Sequence, residues 1–137
     1  MRRFISVIAS MAVALTAAIS VNSPAMAASP GGCTHKYLWT FVVDSCISGR
    51  GKTAYPDYYF NTKPKDDQTS CTVTAVLKGS GVNKTLDIDG CSSAYAFRHI
   101  GPFPTAVSIG PGLCYYTQIT VVLNGKFARA NSPKLCF

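Results

Sequence analysis

Glutamate is absent from this chain. All six acidic residues are aspartates, set against thirteen lysines and arginines, and the formal net charge is +7. The lack of Glu removes the carboxylate partner that small one-domain bacterial ribonucleases ordinarily use. There is no Gly-x-Ser-x-Gly elbow, which argues against an α/β-hydrolase type of serine nucleophile; Ser108 precedes Ile109-Gly110 but lacks the first glycine. No phosphate-cradling glycine motif occurs, and no cofactor is expected. No two cysteines lie two to four residues apart, so the usual knuckle of a structural zinc site is missing. No block of five or more basic residues exists, so a nucleic-acid-binding arm is not supported. Beyond the N-terminal region no window sustains an apolar period of 3.6 residues, which leaves no amphipathic helix to predict.

What is present begins with a targeting segment. Arg2-Arg3 forms a basic start, residues 5–21 are apolar apart from Ser and Thr, and Ala25-Met26-Ala27 matches a small-x-small cleavage pattern. The apolar run is short for a membrane span, which needs about 20 residues. Residues 1–27 therefore read as a cleaved secretory signal, and residues 28–137 as one secreted domain with no further span. The length and export signal suit a bacterial, extracellular protein. Without Arg2 and Arg3 the balance is eleven cations against six acids, still a basic protein.

All six cysteines, Cys33, Cys46, Cys71, Cys91, Cys114 and Cys136, lie after the signal. An even count in a small exported chain reads as a disulfide framework. Fifteen pairings are possible; the nearest-neighbour scheme Cys33–Cys46, Cys71–Cys91, Cys114–Cys136 is preferred. Each bridge contributes about 2 to 4 kcal/mol, chiefly by restricting the unfolded chain.

The clearest local signal is Asn124-Gly125 between two β-rich runs, a two-residue type I′ hairpin. Its register sets Leu123 against Lys126, Val122 against Phe127, Val121 against Ala128 and Ile119 against Ala130. Ile119, Val121, Leu123, Ala128 and Ala130 then share the core face. In that ladder Cys114 faces Leu135, so a Cys114–Cys136 bridge requires a bulge or bend, which Pro133 can supply. Elsewhere, residues 28–32 read as a flexible entry and residues 36–44 as one alternating strand anchored by Trp39. Residues 46–53 read as a turn, and the aromatic stretch 54–60 as an edge strand or loop. Residues 71–78 and 82–89 form a second hairpin, with Val82, Leu86 and Ile88 on one side. Residues 92–99 read as a strand and residues 100–104 as a stiff loop before a short strand at 105–109. Seven or eight short antiparallel strands mean an all-β fold, here a small disulfide-stapled β-sandwich in an immunoglobulin-like arrangement rather than a closed barrel.

Two candidate contact stretches emerge. Tyr58 and Tyr59 are adjacent in an extended run, so at least one points outward, and exposed tyrosine suits protein contacts and sugar stacking. Residues 98–104 hold Arg98 and Phe103, the latter between two prolines, in the manner of rigid inhibitor loops. The binding residues expected are Tyr58, Tyr59, Arg98 and Phe103. A metal-free ribonuclease would use His35 and His99 as base and acid, with Lys36 or Arg98 to stabilise the phosphorane. Asp66-Asp67 and Asp87/Asp89 are carboxylate pairs too small to cage calcium. The sequence points to a small secreted, non-enzymatic binding or inhibitor-type protein, a monomer whose partner is an extracellular protein or a cell-envelope polymer. The alternative is a small basic enzyme or toxin of ribonuclease type, or a cationic protein acting on envelopes.

Overall fold

The computed structural model describes residues 29–38, 41–61, 71–90 and 98–137. The signal segment, Trp39, the polar stretch 62–70 with Asp66-Asp67, and residues 91–97 with Cys91, Tyr95 and Phe97 lie outside them. The described residues form eleven strands and no helix: β1 (Ser29–Pro30), β2 (Gly32–Leu38), β3 (Phe41–Arg50), β4 (Thr53–Phe60), β5 (Cys71–Gly79), β6 (Val82–Gly90), β7 (Arg98–Ile100), β8 (Thr105–Ala106), β9 (Cys114–Leu123), β10 (Lys126–Asn131) and β11 (Leu135–Cys136). They build two open antiparallel sheets, not a closed barrel. The first has the order β1-β11-β9-β5-β6, with β10 also on β9; the second has β2-β3-β4-β7, with β8 also on β4.

The C-terminal hairpin forms in the expected register, Leu123 against Lys126 through Asn131 against Gln118. Asn124 and Gly125 both take positive φ, 49° and 76°, as a type I′ turn requires. Ile119, Val121 and Ala130 are fully buried, whereas Phe127 on the other face is 63 % exposed. Beyond Asn131 the pairing slips by one residue: β11 resumes with Leu135 against Tyr115 and Cys136 against Cys114. The slip falls at Ser132-Pro133-Lys134, and it brings the two cysteines opposite each other. Cys114–Cys136 and Cys33–Cys46 are both bonded. Cys71 is disulfide-bonded as well, while its expected partner Cys91 lies outside the described residues. Each of the two described bridges joins neighbouring strands within its own sheet, β2 to β3 and β9 to β11, so neither crosses from sheet to sheet.

Several expectations are corrected. Residues 36–44 are not one strand: Leu38 faces Phe41 and Lys36 faces Val43 across β2 and β3. Tyr37 is consequently 73 % exposed while Val43 is buried, although simple alternation placed them together. The stretch 46–53 is mostly strand, because β3 runs to Arg50 and pairs with Thr53. Residues 54–60 are an interior strand, with β3 on one side and the short β7 and β8 on the other. Pro56 fits there because its missing N–H falls in the gap between β7 and β8; its carbonyl accepts the Phe103 N–H at 2.9 Å. The short strand expected at 105–109 is only Thr105–Ala106. The supposed flexible entry contains β1, which pairs with β11. In β6 the register shifts beside Ala75/Val76, so that Asp87 faces Ala75 and Thr85 faces Val76. This bulge leaves Leu86 packed on the core but turns Ile88 out, 65 % exposed.

The core lies between the sheets in two clusters. One holds Val43, Tyr58 and Phe60 against Val73, Ile119 and Val121; the other holds Ile47 and Ala54 against Leu77, Tyr115 and Leu135. Between them runs a polar seam. Buried Ser45 donates to the Thr117 carbonyl at 3.0 Å, and buried Thr117 donates to the Cys46 carbonyl at 2.7 Å. Each hydroxyl thereby finds a partner on the opposite sheet, which removes the cost of burying it unpaired.

Candidate functional site on the outer face of the second sheet

Four strands of the second sheet each contribute one residue to a single row: His35 on β2, Asp44 on β3, Tyr59 on β4 and His99 on β7. Alternation along a strand puts all four on the solvent side, since Val43, Ser45, Tyr58 and Phe60 occupy the core side. Within the row the side chains are held. His35 Nδ1 bonds the Asp44 carboxylate, and Asn61 Nδ2 donates to the other Asp44 oxygen at 2.6 Å. His99 Nε2 bonds Asp57 Oδ2 at 2.7 Å. The Tyr59 and His99 rings stack with centroids 4.3 Å apart and an interplanar angle of 10°. Tyr37 sits edge-on to the His35 ring at 5.4 Å. A carboxylate that accepts one imidazole N–H fixes that ring's orientation and leaves its second nitrogen for other contacts.

Gly101 lets the β7 end approach closely. Its φ is +105°, and a Cβ there would stand 3.0 Å from the Asp57 Cβ. The Asp57–His99 pair thus rests on a backbone position where only glycine is unstrained.

The expected site residues divide. Tyr59 and His99 lie in the row, as does His35. Tyr58 is 1 % exposed, and its O–H donates to Asp87 Oδ2 at 2.9 Å. Burial first, then the bond to Asp87 and the charges of Asp87 and Asp89, push its phenol well above the usual tyrosine range. Of the two adjacent tyrosines, Tyr59 is therefore the outward one. Phe103 is folded under, half-buried against the first core cluster, so residues 98–104 lie along β4 and do not project as an inhibitor loop. Arg98 opens β7 opposite Phe60, on the other side of the strand from His99.

The two histidines do not converge. Three strand spacings place their backbones about 14 Å apart, and each imidazole is bonded to its own aspartate, His35 to Asp44 and His99 to Asp57. Lys36 and Arg98 alternate to the opposite side of their strands from His35 and His99. Asp87 and Asp89 face the core side of edge strand β6. Asp87 is bonded by Tyr58, and Asp89 accepts the Gly90 N–H at 2.7 Å. Among the described residues no group of three His, Cys or Asp side chains is placed to hold a metal ion.

Sequence reasoning missed Asp44, Asp57, Asn61 and Tyr37 as members of the site. The β2–β3 register brings Asp44 to His35, while the β3–β4 and β4–β7 pairings bring Asn61 to Asp44 and Asp57 to His99. No protein family, curated protein or solved structure matches this chain.

Proposed function

We propose that this chain is a small extracellular binding or inhibitor-type domain, non-enzymatic, that engages its partner through the outer face of the second sheet. The supporting observation is the row His35–Asp44–Tyr59–His99, a set of rings and carboxylates already fixed in place before any partner arrives. Preorganised side chains lose little freedom on binding, and exposed tyrosine is favoured at contact surfaces. The oxidised cysteines fit an oxidising compartment, and the signal-like residues 1–27 fit export to it. Two open sheets packed face to face are the scaffold type that immunoglobulin-like binding domains use.

The test is capture from spent medium and envelope extract by the immobilised, oxidised domain under a high-salt wash, with reduced and alkylated protein as control. A stoichiometric partner retained by the folded form and lost in Tyr59→Ala and Tyr37→Ala supports the reading. Retention unchanged in both variants removes this face from it. Partners that wash off as salt passes about 0.15 M would instead indicate charge-driven adhesion. RNA cleavage that disappears in either His35→Ala or His99→Ala would revive the enzymatic reading.

A further inference from the structure

The outer face of the first sheet lies on the opposite side of the molecule from His35 and His99. The register fixes what it presents. Ile119 and Val121 on β9 and Val73 and Ala75 on β5 point to the core, so Thr120, Val122, Thr72 and Thr74 point to solvent. β10 sets Phe127 beside Val122 and Arg129 beside Thr120. β6 sets Ile88 beside Thr74. Phe127 is 63 % exposed, Ile88 65 % and Val122 37 %. Lys78 lies farther along the same side of β5. Among the described residues no aspartate shares this face, because Asp87 and Asp89 turn to the core side of β6.

Arg129 is exposed, and its guanidinium carbon stands 4.9 Å from the centroid of the Phe127 ring. That contact settles the cation over an aromatic face and uses no carboxylate. Among the described residues the ion pairs are His35–Asp44 and His99–Asp57, both on the other sheet. The guanidinium fork can therefore take an oxyanion from outside, and its planar donors match two oxygens of one phosphate.

Cations and exposed apolar side chains on one carboxylate-free face call for a partner that is anionic and also offers a nonpolar layer. A second copy of this chain would bring Arg129 and Lys78 against the same cations, with no carboxylate to answer them. A soluble phosphate polymer has nothing for Ile88 and Val122. A folded protein would need separate pockets, since Ile88 stands two strands from Val122 with Thr72 and Thr74 on the strand between. A lipid surface needs no such fit. It is fluid, receives apolar side chains wherever they fall, and carries its phosphates just above its apolar boundary. We propose that this face docks on an anionic phospholipid surface, with Phe127 and Ile88 entering the boundary between headgroups and acyl chains and Arg129 holding a lipid phosphate. The docking is peripheral and is independent of the second-sheet row of His35 and His99.

The experiment is co-sedimentation of the oxidised protein, purified from an exporting host, with vesicles of phosphatidylcholine alone and of equal parts phosphatidylcholine and phosphatidylglycerol, in about 0.1 M salt. The expected result is binding to the mixed vesicles about tenfold or more above that to phosphatidylcholine alone. One cation near an anionic surface strengthens binding about fivefold, so the charge reversal Arg129→Glu should weaken it by about tenfold or more. Phe127→Ala should weaken it about threefold or more through lost apolar burial. Tyr59→Ala, on the other sheet, should bind vesicles as the wild type does. Folding of each variant is checked by its thermal melt. The proposal is overturned by absent binding, by equal binding to both vesicle types, or by wild-type affinity in Arg129→Glu. Loss in Arg129→Glu with wild-type affinity in Phe127→Ala would also overturn it, assigning the face to a soluble acidic polymer or an acidic protein.

Discussion

On the outer face of the second sheet, Asp44 and Asp57 stand among His35, Tyr59 and His99. On the outer face of the first sheet, the rows across β10, β9, β5 and β6 read Phe127, Val122, Thr72 and then Arg129, Thr120, Thr74, Ile88. Among the described residues that face holds three of the four large exposed apolar side chains, and the Arg129 guanidinium lies over the Phe127 ring. The first sheet has aspartates too, but the β6 bulge turns Asp87 and Asp89 to the core side. Inward-pointing charge is one of the devices by which edge strands resist pairing with another chain, and here it leaves the solvent side of β5 and β6 without a carboxylate. Register decides where a carboxylate points. One face therefore becomes a set of fixed titratable groups, and the other a plain β-branched and aromatic surface.

The contrast can be broken at several strengths. The largest effect is expected from the disulfides, since each sheet carries one described bridge. Paired Cys→Ser replacement of Cys33/Cys46 should cost about 3 kcal/mol by loop entropy. The same change at Cys114/Cys136, which closes 22 residues instead of 13, should cost about 0.5 kcal/mol more. Urea denaturation measures both, and the reverse order would show that native-state contacts outweigh the loop term.

Next comes the carboxylate turned inward. Tyr58→Phe removes a buried donor from a charged acceptor and should cost about 2 kcal/mol. It should also change the pH dependence. The folded state holds the phenol neutral above its ordinary value of about 10, so the unfolded chain releases a proton there that the folded one keeps. The stabilisation is complete below pH about 10 and declines above it by up to about 1.4 kcal/mol per pH unit. Tyr58→Phe should lack that added slope in alkaline thermal melts.

The outward carboxylate should behave differently. Asp57→Asn, at a solvent-open pair, should cost less than about 1 kcal/mol in stability, yet it should release His99 and weaken partner capture severalfold. A stability loss as large as that of Tyr58→Phe would erase the distinction between the two faces. The smallest effect is expected at Phe127→Ala, within about 0.5 kcal/mol and without change in capture through the second sheet. A lost partner in that variant would move the contact surface to the first sheet.

The C-terminal half of the fold was legible because Asn124-Gly125 declares a turn and its register together. The core face of β9 and β10 and the break at Pro133 followed from that. The β5–β6 hairpin was legible as a hairpin, but its bulge was not, since Val82, Leu86 and Ile88 alternate as they would in a regular strand. The β2–β3 reversal was hidden because the residues around it are β-branched, aromatic or aliphatic and extend the pattern on either side. The row needs three strand pairings, β2–β3, β3–β4 and β4–β7, so the sequence could name His35, Tyr59 and His99 but not bring them together. Tyr58 and Tyr59 were separable only in principle: one had to point outward, and the packing of Tyr58 under Asp87 decided which.

Ser29 and Pro30 pair with Cys136 and Leu135, so the margin of the first sheet joins residues from opposite ends of the described chain. Cys33 and Cys46 can meet as soon as one hairpin exists. The outer margin of the first sheet must wait for β11 to meet β1, and contacts of such long sequence separation are the slow ones. The protein should therefore mature in two stages, with the second sheet stapled early and the first sheet closed late.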